Sequence, residues 1–282
     1  MSRNVSDLQQ FLTTFLYQLR FYLRTWRFAG ILLFVAAISA AVLSLQLYRG
    51  VIAVQTTNPT SSDYLHAFLG NIGSAIIIAA AFLGGDAIAM DMGGGPGYLM
   101  LTQPVRRWVL LAGRYAAAAL VGLLVAIAYY AFAIGGAAYI YGVGALPGGT
   151  LAESFGFAFL YGLSALALAF FFSSFFKSPA ISIVFTVLIM IIALPIVTSI
   201  GSFTGGEPWY SLDYASGVIS NLFQNPFVHY STQSISEGRR GAVLTIYQWS
   251  PYAWEGLTIM VTYLVVFLVL AYVIYTRKEV KG

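Results

Sequence analysis

Residues 84–114 read GGDAIAMDMGGGPGYLMLTQPVRRWVLLAGR and place two aspartates, a glycine cluster and three arginines between two long apolar runs. Three chemistries use such a mixture: a glycine loop cradling phosphate, a solvated turn, or a docking surface for a partner. The phosphate reading fails on composition. A nucleotide loop of the G-x-x-x-x-G-K-[ST] type needs a lysine on the phosphates, and no lysine lies near Gly93 to Gly97. A G-x-G-x-x-G loop needs a surrounding β-α-β unit, and none is evident here. A turn explains the glycines, which disfavour helix by about 1 kcal/mol each, with about 3 kcal/mol for Pro96. It does not explain the residues after Gly97. Tyr98, Leu99, Met100 and Leu101 form an apolar run outside the long spans, and Thr102 and Gln103 lead into Pro104. A contiguous exposed apolar patch marks a partner surface. Asp86 and Arg114 bracket the stretch near the span ends, where a boundary ion pair or contacts with headgroups and solvent outweigh a transport role.

Elsewhere the chain is poor in reactive groups. It has no cysteine and two histidines, His66 and His229, which excludes disulfides and thiol catalysis and argues against a His-rich metal site. No Ser/His/Asp set, carboxylate pair or metal cluster stands out. Glu153 at the start of the fourth span and Glu255 at the start of the sixth suit the positive end of a helix dipole. Tyr129, Tyr130, Tyr139 and Tyr141 read as membrane-interface anchors.

The elements that must position these residues are membrane helices. The chain is 59% hydrophobic and 9% charged, with a mean hydropathy of +0.81; soluble domains carry roughly 25% charged residues. Residues 5–27 set leucines and aromatics at helical spacing against Arg20, Arg24 and Arg27 on another face. That pattern predicts an amphipathic helix at the membrane interface. Six apolar runs follow, at residues 28–48, 65–88, 108–140, 151–176, 180–200 and 251–276, each long enough to cross a bilayer. Gly70, Gly73 and Ser74 offer a close helix approach, Pro195 predicts a kink, and Ser250-Pro251 reads as the start of the sixth span. Residues 201–250 form one long aromatic-rich connection in which 216–223 could be a short amphipathic helix. The expected fold is thus all-α and integral to the membrane, one domain over residues 1–282.

Six spans place both termini on one side, and charge says which. That side carries eleven basic and four acidic residues; the other carries three basic (Arg49, Arg239, Arg240) and six acidic, giving nets of +7 and −3. By the positive-inside rule, both termini and the 89–107 connection are cytoplasmic and 201–250 is external. The basic residues are explained by topology, so nucleic-acid binding is not expected.

The 89–107 loop resembles the one between the second and third spans of ABC transporter permeases of the type 2 exporter class. Asp91, Gly95, the run Leu99-Met100-Leu101-Thr102, Pro104-Val105, Arg107 and Arg114 fall at the family's spacings, with Asp91 where glutamate is commoner and Pro96-Gly97 where Thr-Leu is usual. The six-span plan with its N-terminal helix and large external segment is similar too. The resemblance implies a dimer with a second permease copy or a related permease. It also implies two cytoplasmic ATPase subunits that hold the ATP and magnesium, and a plasma-membrane location. This chain would then carry no cofactor and no ATPase site. The coupling loop would comprise Asp91, Gly95, Tyr98, Leu99, Met100, Leu101, Thr102, Pro104, Arg106 and Arg107. Spans without mid-membrane charge suggest an apolar or amphipathic cargo: a lipid, a hydrophobic peptide or a drug-like molecule. The competing readings are an ion-coupled secondary transporter, which usually needs intramembrane carboxylates, and a non-transporting scaffold or accessory subunit.

Overall fold

The structure is a computed structural model that describes residues 6–48, 50–92, 106–237 and 242–277. Six helical stretches are long and apolar enough to cross a membrane: Phe28–Tyr48, Ser61–Gly84, Arg107–Tyr141, Gly148–Ser173, Pro179–Thr204 and Ala253–Arg277. All six runs expected from the sequence are present, with ends displaced by a few residues. The second is the most enclosed by its neighbours, and the first, fifth and sixth expose most of their surface.

The chain enters through α1 (Asp7–Arg24), whose start is set by Ser6: its hydroxyl accepts the Gln9 N–H, and Asp7 occupies the first turn. A side-chain acceptor and a negative charge at that end satisfy the free N–H groups and the dipole. α1 leans on the bundle through Tyr22, 1% exposed, whose hydroxyl donates to the Leu83 carbonyl at 2.6 Å. Leu8, Leu12, Leu16 and Leu23 stay exposed. α2 (Trp26–Tyr48) is the first span, and α3 (Val51–Thr57) is a short helix in the connection that follows it.

The second span is two helices, α4 (Ser61–Leu69) and α5 (Ile72–Gly84), interrupted at Gly70-Asn71. A capping box starts α4: the Thr60 hydroxyl accepts the Asp63 N–H at 3.2 Å, and the Asp63 carboxylate accepts the Thr60 N–H at 3.0 Å. This places the span's start four residues before the expected Leu65. Of the three small residues expected to admit a neighbour, Gly73 does so: a Cβ there would lie 3.0 Å from Ser216 Oγ. Gly70 meets only its own helix's carbonyls and Ser74 is exposed. The span ends at Gly84, which packs so closely on the fourth span that a Cβ would lie 2.9 Å from the Ala169 methyl. Residues 85–88 turn, and α6 (Ala89–Met92) follows.

α7 (Arg107–Tyr141) and α8 (Gly148–Ser173) form the third and fourth spans. Tyrosines tie the bundle together here. Tyr129 O–H donates to the Phe68 carbonyl at 3.0 Å, and Tyr130 lies 2.6 Å from Ser154 Oγ, which donates to the Ile219 carbonyl at 2.7 Å. Both tyrosines are buried, so the interface-anchor reading fails for them. Tyr139, 74% exposed, remains compatible with it. Tyr141 instead donates to the Asn58 carbonyl at 2.5 Å. Glu153 is also displaced from its expected place: α8 begins at Gly148, which moves Glu153 out of the first turn.

The fifth span joins α9 (Pro179–Leu188), a π-helical turn (Ile189–Ala193) and α10 (Leu194–Thr204). Leu194 N–H reaches back to the Ile189 carbonyl. Pro195 has no N–H, and its ring would crowd the carbonyl four residues back; the wider turn just before it relieves both, so the expected irregularity takes the form of a π-bulge. α10 closes on Gly205 in the left-handed region (φ 76°), with its N–H on the Gly201 carbonyl.

The connection before the last span folds as α11 (Leu212–Ser216), α12 (Val218–Asn221) and an antiparallel hairpin of β1 (Tyr230–Glu237) and β2 (Ala242–Trp249), paired from Tyr230↔Trp249 to Glu237↔Ala242. The all-α expectation holds for the spans; the hairpin is an addition to it. Its second strand is rich in β-branched and aromatic residues, which suit a pleated surface. The expected helix over 216–223 is centred correctly but is one turn long. α13 (Ala253–Arg277) is the last span. It begins two residues beyond the expected Ser250-Pro251: the Tyr252 N–H is held by Glu255 Oε2 at 2.8 Å, and the Tyr252 carbonyl accepts the Gly256 N–H.

Candidate functional site

The connection between α5 and α7 emerges at one end of the bundle, together with the start of α1, the end of α8 and the end of α13. Its two roots are fixed by contacts with four elements, α1, α7, α8 and α13. At the first root, Ser173 at the end of α8 is fully buried, and its Oγ accepts two backbone N–H groups, from Ile88 and Ala89, both at 3.0 Å. A turn that ends a helix and starts another leaves donors without helical partners; here one hydroxyl serves two of them. Arg114, from the second turn of α7, donates through Nη1 to the Ala87 carbonyl at 2.7 Å. Asp86, the neighbour of Ala87, is 1% exposed and Arg114 is 7% exposed. The structure thus brings both members of the suggested boundary pair to one buried neighbourhood, rather than to headgroups and solvent.

At the second root, Arg106 precedes α7 and its Nη1 meets Asp7 Oδ2 of α1 at 2.8 Å. Arg107, the first residue of α7, donates through Nη1 to the carbonyls of Thr276 at 2.7 Å and Tyr275 at 3.2 Å. These carbonyls lie in the last turn of α13, the negative end of its dipole, so a guanidinium there satisfies both hydrogen bonding and charge. Gly113 lets α1 approach α7: a Cβ there would lie 3.0 Å from Thr14.

Of the loop residues singled out in the sequence, Asp91 belongs to α6, and Arg106 and Arg107 stand at the second root. Gly95, Tyr98, Leu99, Met100, Leu101, Thr102 and Pro104 lie outside the described residues. Ser173, Asp7 and the carbonyls of Tyr275 and Thr276 were not legible as partners of this loop. Nothing in a serine after FFF, or in one acid among ten, announces a contact made across the bundle.

The opposite end of the bundle carries the hairpin. His66 Nδ1 lies 2.9 Å from the Ser220 carbonyl, and His229 Nδ1 lies 2.7 Å from that of Ser250. Both rings face backbone carbonyls, and they serve separate contacts. Burial pushes the Asp213 carboxyl above the usual carboxylate range, with a hydrogen bond from Thr198 opposing the shift.

The family model for the ABC-2 family transporter protein matches residues 36–273. No curated protein matches the chain. The matched region runs from the first span into the last and includes the loop whose roots are described above. The chain belongs to the ABC-2 transporter family: it is a multi-pass membrane protein, the permease subunit of an ABC transporter.

Proposed function

We propose that this permease exports an apolar or amphipathic substrate, driven by ATP hydrolysis on two cytoplasmic ATPase subunits that dock on its 89–107 loop. The observation that carries the reading is the double rooting of that loop. Ser173 and Arg114 hold its start to α8 and α7, and Asp7 and the end of α13 hold its close. A lever needs such roots. A push on the apolar run 98–101 would reach α7 and α8 through buried hydrogen bonds that cannot part without cost, α13 through the half-buried Arg107 contacts, and α1 through the exposed Arg106–Asp7 pair.

The charge distribution supports a cytoplasmic loop, +7 on its side against −3 on the other. The exposed surfaces of α2, the fifth span and α13 leave room for a second permease copy beside the lipid. Export of a lipid-like cargo is supported by the absence of acidic residues within the middle of the spans. An apolar recess at the hairpin end, between α2 and α3, supports it too; Val42, Leu45, Tyr48 and Val54 line it. The same absence of mid-span acids speaks against ion coupling. Asp86 and Arg114 are positioning residues in this reading and touch no cargo. The alternative of a scaffold without transport has no use for a loop held at both ends.

The test is Leu99→Asp with Leu101→Asp in the co-expressed transporter. ATPase capture and transport should be lost, while helical circular dichroism and elution of the permease stay as in the parent. Retention of both ATPase binding and transport would remove the loop from the mechanism.

A further inference from the structure

Glu207, His229 and Glu255 come from three separate segments: the turn after α10, the residue preceding β1, and the first turn of α13. One carboxylate oxygen or ring nitrogen from each lies within 4.8 Å of the other two. All three are half-buried, at the hairpin end of the bundle.

Their orientation is set by groups around them. His229 Nδ1 faces the Ser250 carbonyl at 2.7 Å. A carbonyl has no proton to offer, so Nδ1 carries a proton, and in the neutral ring Nε2 keeps its lone pair. This is the tautomer of a metal-bound imidazole whose second nitrogen donates to backbone. The ring is further held by stacking on Tyr252, with centroids 4.3 Å apart and planes 21° apart. Glu207 Oε1 accepts the Tyr214 O–H at 2.7 Å. Glu255 Oε2 accepts the Tyr252 N–H at 2.8 Å. The donors on these carboxylates are thus neutral, with the Tyr214 hydroxyl facing Glu255 as well as Glu207, and neither carboxylate is neutralised by them. Among the described residues, no lysine or arginine forms an ion pair with either carboxylate. Two carboxylates converging on an imidazole, with no lysine or arginine paired to them among the described residues, form a site of concentrated negative charge, which a cation relieves.

We propose that Glu207, His229 and Glu255 bind a divalent transition-metal ion of the Zn²⁺ type, which clamps the hairpin and the post-α10 turn to the last span. Two oxygens and one imidazole nitrogen are a zinc donor set, with water completing the tetrahedron. Tetrahedral bonds of about 2.1 Å put ligand atoms about 3.4 Å apart. The three groups would therefore draw in by about 1 Å, a movement that side-chain rotation supplies. The clamp joins segments whose chain positions are far apart, so its effect is to tighten the cap over the span ends. It is independent of the coupling reading at the other end of the bundle.

The experiment uses the full chain in detergent, free of any polyhistidine tag, titrated with Zn²⁺ in competition with a chromophoric chelator. The parent is expected to take up one equivalent and to gain several degrees in unfolding temperature in excess Zn²⁺, as for any ligand that binds only the folded state. Glu207→Gln and His229→Gln should each weaken uptake at least tenfold and remove the thermal gain, with unchanged helical content in metal-free buffer. Absence of stoichiometric uptake by the parent overturns the proposal outright, whatever the variants do. So does uptake in the Glu207→Gln/His229→Gln double variant equal to that of the parent.

Discussion

Ser173 is the residue whose loss should say most about the coupling loop. Its buried Oγ is the acceptor for two backbone donors, Ile88 N–H and Ala89 N–H, both at 3.0 Å. Ser173→Ala leaves both donors in a site where Ile88 and Ala89 are themselves 1% and 0% exposed. A neutral hydrogen bond contributes about 0.5–1.5 kcal/mol, so the pair amounts to about 1–3 kcal/mol. Ser174→Ala is the matched control. Ser174 is equally buried, but its Oγ donates to the Phe171 carbonyl within its own helix end and, among the described residues, bonds no group of the loop. Hydrogen exchange of the purified permease, read over residues 86–92, should accelerate by about fivefold to a hundredfold in Ser173→Ala, following from that 1–3 kcal/mol. It should change little in Ser174→Ala. In the assembled transporter the first variant should weaken the dependence of transport on ATP turnover, and the second should not. Equal exchange in the two variants would refute the claim that this hydroxyl roots the loop.

Arg107→Met should loosen the end of α13, because it removes a charged donor from the Tyr275 and Thr276 carbonyls. The expected loss is about 1–2 kcal/mol, checked by exchange over the last turn of that helix, with Arg107→Lys intermediate since it keeps the charge without the fork. Asp213 gives a pH-dependent outcome. Burial raises its folded pKa above the ordinary value of 3.8, so the folded state holds its proton more tightly than the unfolded chain. Its favourable contribution is present at low pH and is lost as pH rises through the raised value. Asp213→Asn should therefore unfold at a higher temperature than the parent at pH 8, and the gain should shrink on acidification. Melting curves of both proteins between pH 4 and 8 decide it.

The spans and the side their charges favour are properties of the sequence. A bilayer demands about 20 apolar residues per helix and sorts arginine and lysine by side; both requirements are one-dimensional. The apolar run after Gly97 and the family's loop spacings are legible for the same reason, being local. Which way each helix faces is not local. A span that is apolar on every side carries no stripe to mark its buried face, so Tyr129 and Tyr130 could not be told from membrane anchors until Phe68 and Ser154 were found beside them. The hairpin escaped for a related reason: YSTQSISE is mostly polar, with Ile235 its one aliphatic residue, and it becomes a strand by pairing with β2. Only packing decided that Ser173 would meet Ile88 and Ala89, that Arg107 would cap α13, and that Glu207, His229 and Glu255 would converge. Hydrogen bonds act over about 3 Å of space, and the chain order of their partners leaves no trace of that nearness.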